Sequence, residues 1–465
     1  MSQSILKSSL ENASFNIVFQ IICRCVTFVL NAFVVRHVGQ AILGVINVRL
    51  LLLESMILFL SREPFMKACL TNTSEHNWAQ VVNLLWITLV VPICIVMSSL
   101  FGYIWLFFLS TSESLPPYYT FAVWAVALSC IIELSSLIVQ LVANAFLFVK
   151  LKVNKFTFIL LYFNYFYKIV YVFLLRSSFY LFIIKIRNFQ EPYLDKKLTI
   201  LTWSFFRQGI LKQVLTEGER LIMTVIPVLS FTEQGTYEVV NNLGSLAARF
   251  IFRPIEEIKS INVLTHMCSA VTSIGFIILV FGQSYSSTLL WLYGGAKLTS
   301  NLPVLLLRAH CLAILLLGIN GVTECYTNAT ADSATINKNN LIMIYESVAF
   351  LGGSYLFVIW FGPVGFILGN CFNMSLRIAH SMIFINKRHS GAIHNPLLGL
   401  VPKRMFSITL LLAVYFFPDE KMLHLLIGFI TFISVLIAWI YENYELIKLG
   451  GTKWYERKNK YKKND

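Results

Sequence analysis

The chain has 465 residues, of which 57% are hydrophobic and only 13% are charged, with 38 Phe and 20 Tyr. Soluble domains carry roughly 25% charged residues, so this composition excludes an ordinary soluble protein and makes lipid the main solvent. The net charge of +14 lies in short loops and a tail between apolar runs, not on one basic face, which excludes a nucleic-acid binder.

Apolar runs follow one another almost end to end and predict helices at 13–35, 44–61, 81–109, 119–149, 156–175, 177–186, 203–229, 234–254, 261–282, 302–326, 341–360, 363–385, 404–417 and 423–442. The first lacks a small-residue cleavage site and reads as a retained helix, not a signal peptide. Pro92 breaks the third run, the sixth is too short to span, and Pro227 ends the seventh. Nine cysteines form no C-x-x-C pair and mostly sit inside apolar runs, as small buried hydrophobes.

With a cytosolic N-terminus, 24 Lys and Arg fall in cytosolic segments, against Arg36, Arg176, Lys297 and Lys421 on the other side. The positive-inside rule then places both termini in the cytosol. The sequons at Asn12 and Asn72 become cytosolic, those at Asn328 and Asn373 fall in or beside helices, and none is expected to carry glycan. The final Lys462-Lys463-Asn464-Asp465 has the form of a dilysine retrieval signal for the endoplasmic reticulum.

Nine cations remain inside the predicted helices, accompanied by acids such as Glu54, Glu133, Glu219, Glu324 and Glu346. Each central charge costs about 2.5–3.5 kcal/mol on insertion scales, so the helices must enclose a polar cavity. The polar residues form stripes: Asn16, Gln20, Arg24, Thr27 and Asn31; Glu238, Asn242, Ser245, Arg249, Arg253 and Glu256; Asn370, Asn373, Arg377 and Ser381; and, on two sides of the seventh helix, Gln208, Lys212, Thr216 and Glu219, then Gln213, Glu217 and Arg220. Glu217 with Arg220 and Arg253 with Glu256 or Glu257 read as structural pairs. Arg24, Arg49 and Arg249 have no obvious local acid, and the guanidinium fork suits phosphate. Lys168 and Arg308, near predicted helix ends, read as snorkelling. No nucleotide loop or H-E-x-x-H pair occurs and the longest hydrophilic stretch is 187–200, so neither catalysis, direct ATP hydrolysis, a metal nor a cofactor is expected.

Several strings carry a resemblance: VTFVLNAFVVRHV at 26–38, GVINVRLLLLESMILFLSREPFMKACL at 44–70, FVKLKV at 148–153, TWSFFRQGILKQVLTEGERLIMT at 202–224, QGTYEVVNNLGSLAARFIFRPIEE at 234–257, INGVTECYTNA at 319–329 and VGFILGNCFNMSLRI at 364–378. In order and over most of the chain they resemble the eukaryotic "requiring fifty-three" family. The resemblance implies an all-α polytopic membrane fold of the multidrug/oligosaccharidyl-lipid/polysaccharide exporter type. Two pseudo-symmetric six-helix lobes would surround a central polar cavity, followed by two C-terminal helices. On this reading 1–200 is the N-terminal lobe, shortened near 177–200. Residues 201–386 are the C-terminal lobe, and 387–465 hold the extra helices and basic tail. A second shortening is expected at 257–261.

The implied function is movement of a dolichyl-diphosphate-linked heptasaccharide of mannose and N-acetylglucosamine from the cytosolic to the luminal leaflet of the endoplasmic reticulum, for N-glycosylation. The expected cavity residues are Arg24, Arg49, Glu54, Arg62, Glu63, Lys212, Glu219, Arg220, Asn242, Arg249, Glu256, Glu257, Glu324 and Arg377. Two other readings are an ion-coupled exporter of amphiphiles, using Glu54 or Glu324, and a non-transporting organiser of dolichol-pathway proteins.

Overall fold

Lipid offers no partner to a backbone N–H or C=O, so a long apolar run must close its hydrogen bonds within itself as a helix. The structure, a computed structural model, describes residues 25–71, 81, 92–107, 115–135, 141, 195–225, 228–252, 261–330, 333–389, 396–415 and 421–444. Every regular element among these residues is helical: α1 (Cys25–His37), α2 (Gln40–Gly44), a π-helical turn (Val45–Leu50), α3 (Leu51–Leu70), α4 (Pro92–Phe107), α5 (Tyr119–Ser135), α6 (Lys196–Thr216), α7 (Gly218–Val225), α8 (Phe231–Phe252), α9 (Ile261–Gly294), α10 (Asn301–Thr330), α11 (Ser333–Phe361), α12 (Val364–Arg388), α13 (Arg404–Tyr415) and α14 (Lys421–Glu442). Four described stretches are long and apolar enough to cross a bilayer, namely Gln40–Leu70, Leu264–Leu298, Asn301–Thr327 and Leu425–Glu442. The chain is a polytopic helical membrane protein.

Several helices depart from their expected ends, each for a visible reason. The helix expected at 44–61 runs through Pro64 to Leu70, because neighbouring groups in a membrane protein re-satisfy the carbonyl that a proline frees. The single helix expected at 203–229 is two, broken at Glu217, whose carboxylate is drawn to Ser55 and Arg220. The helix expected at 261–282 continues to Gly294 through a polar run, where the Ser286 hydroxyl donates back to the Gly282 carbonyl. The helices expected at 156–175 and 177–186 lie outside the described residues. The sequons at Asn328 and Asn373 fall inside α10 and α12.

The chain divides into two compact units, one of Met1–Val29 with Val45–Ile226, the other of Leu30–Gly44 with Pro227–Asp465. The first unit is organised by α3, which packs on α4, α5 and α6. The π turn before it leaves the Arg49 carbonyl free to accept the Trp105 indole N–H at 3.0 Å.

The second unit is built on α9, α10 and α12, whose buried Leu264, Cys268, Val271, Val322, Tyr326 and Ile385 form one core cluster. Tails of lipid are as apolar as leucine, so close approach and polar contacts hold these helices together. At the crossing of α2 and α8 a Cβ on Gly44 would meet the Phe231 carbonyl, and one on Gly235 the Gln40 carbonyl, so the two backbones touch directly. Arg36, expected in a loop, lies in the last turn of α1 and donates to the terminal α9 carbonyls of Tyr293 (3.2 Å) and Leu292. Lys297 Nζ returns to the Arg36 carbonyl at 2.9 Å. Arg308 does not merely snorkel: its Nε donates to the Gln283 carbonyl at 2.8 Å, and Gln283 Nε2 donates back to the Arg308 carbonyl at 3.2 Å. The Glu442 carboxylate caps the start of α13, accepting from the N–H groups of Met405 (2.9 Å) and Phe406 (3.0 Å).

Candidate functional site

A cavity of about 460 Å3 opens in the first unit between α3, α6 and the start of α7. One wall is the helical stripe Leu51, Glu54, Ser55, Leu58, Phe59, Arg62, Glu63 and Lys67, spaced by three or four residues. The other carries Gly209, Gln213, Thr216, Glu217 and Arg220. Gly209 sets the approach of the walls, since a Cβ there would lie 2.9 Å from the Phe59 ring.

The wall charges are mostly paired. Arg62 holds Glu133 of α5 at 2.5 Å and Glu63 at 3.9 Å. Arg220 holds Glu217 at 2.8 Å, the structural pair expected from their spacing. The other Glu217 oxygen accepts from the Ser55 hydroxyl at 2.9 Å, and Ser55 accepts from Gln213 Nε2 at 2.7 Å. The result is a hydroxyl, amide and carboxylate surface edged by one aromatic ring, within apolar helices.

The expected cavity residues separate into groups. Glu54, Arg62, Glu63 and Arg220 line this cavity together. Arg49 is buried, at 7% exposure, with its guanidinium acting on Tyr119 rather than on the cavity wall. Glu219 lies on α7 and is half-buried, without lining the cavity. Asn242 is exposed on α8 of the second unit. The side chains of Lys212 and Arg249, and all of Arg24, Glu256 and Glu257, lie outside the described residues.

Glu324 and Arg377 sit in the second unit, 2.6 Å apart, with Asn320 Nδ2 donating to Glu324 at 3.1 Å. Thr327, Glu346, His380 and Ser381 join them around a void of about 20 Å3, room for a single water.

Several cavity residues were missed in the sequence, among them Ser55, Phe59 and Lys67, whereas Gln213 and Thr216 fall on the polar faces expected of the helix at 203–229. Lys67 was placed in a loop because the helix was ended before Pro64. The three-and-four spacing from Glu54 through Glu63 to Lys67 was the signal that could have found it.

Apolar helices of spanning length, one of them bordering a polar and charge-paired hollow, define a polytopic membrane protein. The Rft protein family model matches residues 8–162, 154–260 and 258–450, and the chain belongs to that family. It is 38% identical over 548 aligned positions to the Man(5)GlcNAc(2)-PP-dolichol translocation protein RFT1 of Drosophila melanogaster, covering 97% of this chain and 98% of the relative. The protein of the same name from Xenopus tropicalis is 38% identical over 466 positions, 86% of each chain. Among solved structures, the lipid II flippase MurJ in an inward closed conformation matches with a TM-score of 0.57 at 14% identity, over 92% of this chain and 100% of that one. The likeness shows a shared fold.

The fly alignment exceeds the chain's 465 residues by 83 positions, so this chain is gapped against its relative. The family match changes segment at 154–162 and at 258–260. The second place coincides with the shortening expected at 257–261, whereas the first falls ahead of the one expected at 177–200.

Proposed function

We propose that this protein moves Man(5)GlcNAc(2)-PP-dolichol between the leaflets of the endoplasmic reticulum membrane, from the cytosolic to the luminal side. The observation that carries the reading is the first unit's cavity, polar and ion-paired inside apolar helices. Its hydroxyl, amide and carboxylate groups suit the many hydroxyls of an oligosaccharide, while the dolichyl chain stays in lipid. The relatives' names, given to proteins similar over nearly the whole length, support the same substrate. Two pseudo-symmetric lobes would rock to expose the head on alternate sides, with both termini in the cytosol. No step of covalent chemistry is required, and the gradient made by use of the lipid in the lumen sets the direction. The ion-coupled reading loses one of its two acids, because Arg377 already neutralises Glu324, and keeps Glu54.

The test is reconstitution of the purified protein in liposomes holding labelled Man(5)GlcNAc(2)-PP-dolichol, with leaflet access read by an impermeant lectin. Wild type accelerates exposure over empty liposomes, and Gln213→Leu loses most of that acceleration. Folded wild type that leaves the rate of empty liposomes unchanged rejects the reading.

A further inference from the structure

Resting on that reading, we propose that Lys67 is the residue that holds the substrate's diphosphate, at the membrane-surface end of the first unit's cavity.

A lipid-linked sugar presents two demands to its site. The sugars need neutral or paired hydrogen-bonding groups. The diphosphate needs at least one cation that is not already neutralised. Among the described residues the cavity wall carries three bases, Arg62, Lys67 and Arg220. Arg62 is committed to Glu133 and Glu63, and Arg220 to Glu217. Drawing Arg220 onto phosphate would strand the buried Glu217 carboxylate, and drawing Arg62 away would leave both Glu133 and Glu63 without their cation. Lys67 is exposed on the same helical stripe, one turn beyond Glu63, and makes no ion pair among the described residues. Its ammonium brings three donors on a flexible stem, suited to a mobile phosphate head.

Depth supports the assignment independently. The helical stretch Gln40–Leu70 has 31 residues, and Lys67 lies in its last turn. At about 1.5 Å per residue that stretch is roughly 45 Å long, against a hydrocarbon core of about 30 Å. The end of α3 therefore reaches headgroup level, where the phosphates of a membrane lipid lie. Ser55, Gln213 and Glu217 stand three turns back along the cavity, where the sugars would follow. The sequence assigns phosphate to Arg24, Arg49 and Arg249, aided by Arg62 and Lys212. Of the first three Arg49, the one whose side chain is described, is buried off the cavity wall, and Arg62, on the wall, is held by Glu133 and Glu63.

Binding to the full-length protein in lipid nanodiscs tests this with two probes: a short-chain prenyl diphosphate carrying the heptasaccharide, and the free heptasaccharide. Lys67→Gln should weaken the first about tenfold to a hundredfold, the loss of one or two charge-assisted hydrogen bonds. It should leave the free sugar's affinity unchanged, and Lys67→Arg should retain both. Equal affinity of Lys67→Gln and wild type for the diphosphate probe overturns the assignment, and so does a loss that falls equally on the free sugar. Wild type that binds neither probe defeats the glycolipid reading itself, and this inference with it.

Discussion

The two units use the same kinds of side chain to opposite ends. In the first, two arginine–glutamate pairs, Arg62–Glu133 and Arg220–Glu217, stand around some 460 Å3 of open space with hydroxyl and amide groups between them. In the second, Arg377 and Glu324 close on each other with room left for about one water. Charge inside a membrane protein does not by itself mark a substrate site. The space beside the charge distinguishes a pair that lines a passage from one that fastens helices.

That contrast can be broken by removing the basic partner on each side. Arg377→Met should cost the most, about 3–5 kcal/mol of stability, because Glu324, three-quarters buried, is left charged beside a void with room for about one water. Joint replacement with Glu324→Leu should recover most of it. Arg220→Met should cost somewhat less, about 2–3 kcal/mol, because Glu217, though buried, keeps its Ser55 hydrogen bond and borders a cavity that can admit water. Thermal unfolding in nanodiscs measures both, and equal losses would erase the distinction.

Filling the space tests its use more directly. Gly209→Val pushes side-chain bulk against Phe59 and should cost about 1–3 kcal/mol while abolishing lectin-detected translocation. Full translocation by a folded variant would move the substrate path elsewhere. The smallest effect is expected at the π turn, where Trp105→Phe removes one hydrogen bond to the Arg49 carbonyl and should cost about 1 kcal/mol, with transport retained.

Much of the fold was legible because apolar length is a direct requirement of the bilayer, and most helices fall close to where hydropathy placed them. What hydropathy could not show were the places where side chains override it. The helices expected to end at 61 and 282 both continue, the first through Pro64 and the second through a polar run. Glu217 read as helical, yet its carboxylate breaks the helix.

The site was legible in kind more than in membership. Glu54, Arg62 and Glu63 were expected singly, without the stripe that they share on α3, and the Glu217–Arg220 pair was read from spacing alone. Glu133 had no assigned role, because its partner Arg62 lies 71 residues away in sequence and only packing brings them together. Lys67 was lost for a different reason, an error of one helix boundary.

The crossing of Gly44 and Gly235 bears on inheritance. Each position faces main-chain atoms of the opposite helix, which cannot turn aside as a side chain can. Every amino acid but glycine brings a Cβ, so no missense allele at either codon is mild, and even alanine would drive the helices apart. Two unremarkable glycines are therefore positions at which a carrier's variant should be read as damaging.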